Sequence, residues 1–214
     1  MNTPGTVPTE IELKLRFPLQ YTTTIKELSL LKDFSIATPL EQDILSIYFD
    51  TPDLILRNHR IALRTRKIGD QWLQTIKSNG TAQSGLHRHH EWEFPITTEK
   101  PELDLIQDQD LKIFFSDKKL RDSLQPVFTT DFHRTTYLLE PSEKFRLEFC
   151  LDTGRIIANN KTALICELEL ELKAGNSQQL MEFGRMLQKH CPFKLIPENT
   201  SKAMRGFDLL DCRT

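Results

Sequence analysis

Strict alternation of charged and apolar residues is the most prominent pattern along the chain. Residues 167–173 read Glu-Leu-Glu-Leu-Glu-Leu-Lys, and residues 10–16 read Glu-Ile-Glu-Leu-Lys-Leu-Arg. A period of two predicts β-strands, because successive side chains of a strand point to opposite faces. Each strand would then carry charge on one face and Ile or Leu on the other. This pattern fits a wet cavity lined by the charged faces, with the apolar faces packed outward against helices.

Similar patterns predict eight or nine strands with helices between them. A helix is predicted over residues 22–32, irregular helical structure over 102–124, and a short helix around 200–209. Ser177 is expected to cap a helix that runs through His190. The Asp152-Thr-Gly154 segment predicts a turn that ends the strand before it. Besides strands at 10–17 and 163–173, the predicted strands are 44–50, 61–67, 71–77, 89–94, 127–132, 135–140 and 144–151.

Composition narrows the class of protein. The chain has 214 residues, of which 27% are charged, and a net charge of −2. This balance does not favour a nucleic-acid binder with a generally basic surface. No signal peptide or apolar run of membrane-spanning length is present, so a cytoplasmic protein is expected, with no membrane partner. The four cysteines show no metal-ligand spacing and are expected to be free thiols. Residues 1–9 are expected to be a flexible leader and residues 10–214 a single domain.

The charged rows are nearly pure in sign. Arg64 and Arg66 share one strand face, and Glu91 and Glu93 share another. A sheet with one solvated face would also alternate, but such faces usually mix Thr, Ser, Gln and Lys. Like charges side by side repel by about 1 kcal/mol in water and about 4 kcal/mol at a protein-like dielectric. Clustered carboxylates therefore suit Mg²⁺ or Mn²⁺, and the cationic rows suit phosphate oxygens.

Several motifs together resemble one family. The Glu10-Ile-Glu-Leu-Lys14 segment is similar to the ExExK signature of the CYTH superfamily, the triphosphate tunnel metalloenzymes. The resemblance continues in order along almost the whole chain, through Tyr48–Thr51, Leu63–Arg66, Thr75–Lys77, Asp131–Arg134, Ile165–Leu172 and Ser201–Gly206. It is nearest to the bacterial inorganic triphosphatase branch. It implies an α+β fold: an eight-stranded antiparallel tunnel barrel with helices outside. It also implies a monomer or homodimer that hydrolyses tripolyphosphate, a small-molecule substrate, to pyrophosphate and phosphate with Mg²⁺ or Mn²⁺.

The resemblance also implies roles for individual residues. The catalytic set would be Glu10, Glu12, Lys14, Glu169 and Glu171, and its four glutamates would hold the metal, with Glu167, Glu148 and Asp152 as further candidates. The phosphates would be held by Lys14, Arg57, Arg64, Arg66, Lys77, Arg134, Lys202 and Arg205. A solvated helix is the alternative interpretation for Lys202 and Arg205, but their spacing places them on one helical face, which favours the tunnel.

Two departures from the family pattern affect function. Many bacterial relatives continue into a helical CHAD domain, and no function of that domain is expected from this chain. His89 stands where relatives place a cationic residue, and together with His87 and His90 it leaves a zinc site as a weaker alternative. Two other function classes also stay open. One is a different enzyme on the same fold, such as an adenylate cyclase or a nucleoside or thiamine triphosphatase, and the other is a polyphosphate-binding module without turnover.

Overall fold

A closed antiparallel β-barrel forms the centre of the computed structural model, which describes residues 9–211. The strands pair in the order β5-β4-β3-β2-β6-β7-β8-β1, and β1 also pairs with β5, which closes the ring. The predicted eight-stranded antiparallel barrel is confirmed. A short β9 is added beside β1. The strands are β1 Thr9–Arg16, β2 Leu40–Asp50, β3 Ala62–Ile68, β4 Gln71–Gln83, β5 Leu86–Ile96, β6 Gln125–Ser142, β7 Phe145–Ala158, β8 Lys161–Ala174 and β9 Ile196–Pro197.

Seven α-helices surround the barrel in the described part of the chain, together with 3-10 turns at Leu19–Tyr21 and Leu103–Leu105. None of these helices is long and apolar enough to cross a bilayer. The helices are α1 Thr22–Lys26, α2 Ser29–Phe34, α3 Ile55–Asn58, α4 Gln109–Phe114, α5 Lys118–Ser123, α6 Ser177–His190 and α7 Lys202–Asp211.

The apolar strand faces point outward and form the core with the helices. Leu13 of β1 and Leu168 and Leu170 of β8 are buried against Leu180 and Phe183 of α6. A second cluster joins β3 and β4 to α3, α4 and α5. The alternation read from the sequence is therefore explained by charged residues facing inward and apolar residues facing the helices.

Helix α7 differs from the others because it contacts side chains on the inner barrel face. Phe207 packs edge-on against Phe128, with ring centroids 5.1 Å apart, and Phe128 stacks on Tyr48. A Cβ atom on Gly206 would lie 2.2 Å from the Phe128 ring, so glycine allows this close packing. Together with Phe132 and Ile156, these residues fill one end of the barrel with apolar side chains.

Two strand predictions were wrong. Residues 127–132 and 135–140 belong to one continuous strand, β6, because His133 and Arg134 keep the alternation and the pairing. Strand β7 does not end at the predicted turn but continues to Ala158. A Cβ atom on Gly154 would lie 2.3 Å from the Asp131 carbonyl oxygen, so this glycine permits close approach of two strands rather than a turn.

Two helix details also differ from the predictions. The helix over residues 22–32 is two short helices, because Leu28 has an extended ψ of 130° between them. The cap of α6 is Asn176 rather than Ser177, and its side chain accepts from the Gln179 amide at 3.0 Å while the Gln179 side chain accepts from the Asn176 amide. Cys150, Cys166 and Cys191 are free thiols, whereas Cys212 and all of the predicted leader except Thr9 lie outside the described residues.

Candidate active site

A cavity of about 960 Å³ runs inside the barrel between the charged strand faces. Register explains its lining: Glu12 pairs with Glu171 and Lys14 with Glu169, so these four side chains share the inner face. The predicted site residues that line it are Glu10, Glu12, Lys14, Arg57, Arg64, Arg66, Lys77, Arg134, Glu148, Glu169, Glu171 and Lys202. The other three do not line the cavity: Asp152 and Glu167 are fully buried, and Arg205 donates to Glu167 at 2.8 Å.

Glu169 is held by three cationic side chains. Its Oε1 accepts from Lys14 Nζ at 2.5 Å and from Lys202 Nζ at 2.9 Å, and its Oε2 accepts from Arg134. Burial alone would raise the pKa of Glu169, but Lys14, Lys202 and Arg134 hold it well below its usual value. Glu169 therefore stays ionised and orders the cations around it.

Lys202 enters this network from α7. Its Nζ donates to Asp152 at 2.7 Å and to Glu167 at 2.5 Å, in addition to Glu169. Burial would lower the pKa of Lys202, but these carboxylates raise it well above its ordinary range. The alternative interpretation of Lys202 as a solvated helix residue is wrong, since the residue is 5% exposed.

The other end of the cavity carries an excess of negative charge. Burial raises the pKa of Glu171 to about 7, and repulsion from Glu10 and Glu148 adds to the shift, although Lys173 donates to Glu171 at 2.6 Å. In contrast, Glu12 has Lys14 3.1 Å away, which outweighs burial and lowers its pKa. Glu10 and Glu148 are thus close enough to Glu171 to repel it, and the ammonium group of Lys173 contacts only Glu148 and Glu171 of these three.

His89 takes the place of a cation in a second group of charges. Its Nε2 lies 3.0 Å from Glu10 and 3.3 Å from Glu91, and Lys77 contacts both glutamates. Burial would lower the pKa of His89, but its bonds to Glu10 and Glu91 raise it. The three histidines do not converge on a point, because His87 bonds the Glu198 carbonyl and His90 lies beside Thr9. The zinc alternative therefore finds no support among the described residues.

Two groups of possible metal ligands lie within 4.8 Å of one another in the described part of the chain: Glu10–His89–Glu91 and Asp152–Glu167–Glu169. An ammonium group already contacts each of them. Lys77 approaches the first, and Lys202 donates to all three carboxylates of the second. In this arrangement the ammonium groups of Lys77 and Lys202 compensate the negative charge of these carboxylates.

Two buried arginines, in contrast, are only partly satisfied. Arg64 Nε has no hydrogen-bond partner, although the same guanidinium lies 3.5 Å from Glu91. Arg66 donates to the Ser46 hydroxyl at 3.2 Å and forms no ion pair with any described carboxylate. Burial, followed by repulsion from Arg64 and Arg134, lowers the pKa of Arg66 to about 10. Strand β3 therefore presents to the cavity an uncompensated guanidinium charge, that of Arg66, and a free hydrogen-bond donor, Arg64 Nε.

Two residues of the site were missed from the sequence, and a third, Arg57, was found but has a second role. Arg57 lines the cavity but also pairs with Asp211 of α7 at 2.5 Å. Glu91, which lies beside Lys77, His89 and Arg64, was absent from the predicted site, although its alternation with Glu93 on β5 carried the signal. Tyr48, whose hydroxyl lies 3.5 Å from Arg64, was also missed; its only signal was its position in a family motif.

The sequence matches one known family. Residues 8–206 match the profile of the CYTH domain. An inorganic triphosphatase of Haemophilus influenzae is 34% identical over 201 residues, which is 92% of this chain. The chain spans 54%, about half, of the length of that relative. The resemblance predicted from the motifs is therefore confirmed.

Solved structures share the fold at low identity. A Hippeastrum protein assigned as an adenylyl cyclase and described as having a dominant triphosphatase activity superposes with a TM-score of 0.65 at 18% identity, over 93% of this chain and 95% of that one. The Mimivirus capping-enzyme triphosphatase gives a TM-score of 0.51 at 11% identity, over 89% and 91% of the two chains. At these identities the likeness establishes the barrel architecture alone.

Proposed function

This chain belongs to the CYTH domain family, and from that premise we propose that its tunnel hydrolyses inorganic tripolyphosphate to pyrophosphate and phosphate with the help of a divalent metal ion. The Haemophilus relative, named an inorganic triphosphatase, supports this activity. The lining of the cavity supports the substrate class, since it carries cationic side chains suited to phosphate oxygens and carboxylates suited to a metal ion.

The observation that carries the proposal is the uncompensated charge of Arg66 beside the free Nε donor of Arg64. A buried guanidinium without an anionic partner is costly, because burial removes its hydration. A phosphate group matches guanidinium geometry with paired N–H···O bonds, which would satisfy the free Arg64 Nε and compensate Arg66. Lys14, Lys77 and Arg134 line the same cavity and could hold the neighbouring phosphates.

The donor set at the acidic end fits a hard divalent ion. Glu10, Glu12 and Glu171 offer only oxygen ligands, and a bound cation would offset both the burial and the repulsion that raise the pKa of Glu171. We propose these three glutamates as the main ligands, with Glu148 beside them and Glu169 reaching the same cavity. Mg²⁺ or Mn²⁺ suits such a set and, when bound, would neutralise phosphate oxygens.

The residues of the chain would stabilise an in-line displacement at a terminal phosphorus. Water forms the new P–O bond and releases a proton to the solvent as the P–O bond to the pyrophosphate leaving group breaks, and negative charge spreads over both groups. Arg64 and Arg66 would bind the oxygens that gain charge, and they need no reorientation because the barrel wall fixes them. Glu169 would keep Lys14 and Arg134 in place through its hydrogen bonds.

The test is turnover with defined substrates. Tripolyphosphate, ATP and thiamine triphosphate are incubated with the protein and Mg²⁺, Mn²⁺ or EDTA, and phosphate, pyrophosphate and cyclic AMP are measured. We expect metal-dependent release of phosphate and pyrophosphate from tripolyphosphate. Cyclic AMP with pyrophosphate from ATP would instead support a cyclase, and binding without turnover would support a polyphosphate-binding module.

Two substitutions test the proposed metal ligands and the proposed phosphate-binding arginines separately. Glu171→Gln should abolish metal-dependent turnover while leaving tripolyphosphate binding without metal largely intact. Arg66→Gln should weaken that binding by roughly tenfold or more, as expected for a lost charge-assisted hydrogen bond. Arg155→Gln is the matched control, since Arg155 pairs with Asp131 at an exposed position. Normal turnover in Glu171→Gln would remove Glu171 from the metal site.

A further inference from the structure

Residues 196–201, here called the strap, connect two walls of the tunnel to helix α7. Pro197 pairs with Leu15 of β1 through the short strand β9. The Asn199 side chain accepts from the Gly85 amide at 2.8 Å, at the start of β5. Gly85 has a φ of +81°, and a Cβ atom there would lie 2.6 Å from the Lys14 carbonyl oxygen. The strap is therefore packed closely against the seam where β1 and β5 close the barrel.

Glu198 is the best-connected residue of the strap and is 7% exposed. Its amide donates to the Lys14 carbonyl at 3.0 Å, and its own carbonyl accepts from His87 Nε2 at 2.7 Å. The carboxylate accepts from the Thr200 amide at 2.8 Å and from Arg16 at 2.8 Å. One residue thus bonds both strands of the seam and also fixes the chain that leads into α7.

Lys14 and Lys202 are connected in two ways, through the strap and through Glu169. Lys14 is bonded to Glu198 through its backbone, and Lys202 begins α7 just after the strap. The two lysine side chains then meet again, because both donate to the same oxygen, Glu169 Oε1, at 2.5 and 2.9 Å. The position of Lys202 relative to Lys14 is therefore set through bonds on both sides.

We infer that Glu198 is a positioning residue that holds the Lys14 and Lys202 ammonium groups at the separation required to bind the substrate phosphates. The inference rests on the proposed function, because it takes tripolyphosphate as the ligand of these lysines. Glu198 does not line the cavity and so acts through the two lysines. The Thr200 contact matters most, since it is the bond of the Glu198 side chain that lies toward α7 and Lys202 along the chain. The Arg16 contact is half-exposed and contributes less.

The test is calorimetric titration of tripolyphosphate, without added metal, into the full chain and its variants. Glu198→Ala removes the acceptor for Thr200 and should weaken binding about tenfold, as expected from losing a part-buried hydrogen bond to a charged group. Glu198→Gln keeps an acceptor oxygen for Thr200 and should bind nearly as well as the wild type. Glu182→Ala is the control, because Glu182 is an exposed residue on α6.

A double-mutant cycle distinguishes positioning from general stability. If Glu198 acts through Lys202, Glu198→Ala should add little to the loss already caused by Lys202→Met. If Lys202→Met does not fold, Lys202→Arg takes its place in the cycle. Losses that multiply, or a Glu198→Ala variant with a lower melting temperature and unchanged affinity, would overturn the inference. No binding of tripolyphosphate by the wild type would remove the proposed function and this inference together, whereas equal binding by wild type and Glu198→Ala would remove this inference alone.

Discussion

Replacing Lys202 with methionine tests whether the buried ion network stabilises the fold. Methionine keeps a long flexible side chain but removes the ammonium group that donates to Asp152, Glu167 and Glu169. Asp152 and Glu167 are fully buried, so water cannot replace the lost donor. The variant should therefore fold with a large loss of stability.

The loss in the free energy of unfolding depends on which cations still contact the three carboxylates. Removing one member of a buried ion pair costs about 3–5 kcal/mol, because the other charge is left uncompensated. Lys202 donates to three carboxylates, which favours a loss of about 5 kcal/mol. Arg134 still bonds Asp152 and Glu169 in the variant, so the loss should not exceed that value. A domain is stable by only about 5–15 kcal/mol in total. The melting temperature should fall by about 10 °C, at roughly 2–4 °C per kcal/mol.

The assay is denaturant unfolding followed by circular dichroism, at neutral and acidic pH. Burial opposes ionisation of Asp152, but Arg134 and Lys202 lower its pKa, so its stabilising contribution is present at neutral pH and is lost as the pH falls. The difference between wild type and Lys202→Met should therefore shrink in acid. Lys67→Met is the control, since Lys67 is exposed on β3. Equal losses in the two variants at neutral pH would refute the reasoning.

Two further predictions concern the fold. Gly154→Ala should destabilise the protein by about 2–3 kcal/mol through overpacking, because the new methyl group would meet the Asp131 carbonyl oxygen at 2.3 Å. Thermal melting measures this, and Gly80→Ala, with 3.9 Å to its nearest neighbour, should change stability far less; similar losses would contradict the steric account. Asn176→Ala should cost about 1 kcal/mol by removing the α6 cap that bonds the Gln179 amide, and an unchanged unfolding midpoint would contradict that role.

The sequence predicted the barrel because its inward face is charged. Alternation in the segments that became β1 and β8 fixed which side chains share a face, and register then brought Glu12 to Glu171 and Lys14 to Glu169. The lengths of β6 and β7 could not be read in the same way. A glycine such as Gly154 has the same local appearance in a turn and at a close strand contact, and only the neighbouring strand decides between them.

The sequence also could not predict which charged side chains form ion pairs with one another. Alternation predicts that Glu167, Glu169 and Glu171 share a face, but it does not indicate that Glu167 meets Lys202 while Glu171 meets Lys173. These pairings depend on α7 and on strand twist, which are tertiary properties. The metal and phosphate roles implied by the family resemblance remain predictions for the experiments described above.

Closure of the barrel through β1 has a consequence for synthesis on the ribosome. One edge of β1 can pair with β5 early, but its other edge must wait for β8, which is translated much later. An unpaired strand edge invites pairing with other chains. Glu12, Lys14 and Arg16 place charge along that waiting strand, and charged side chains discourage such contacts. The residues that line the finished tunnel would thus also protect the nascent chain from aggregation before its last strands emerge.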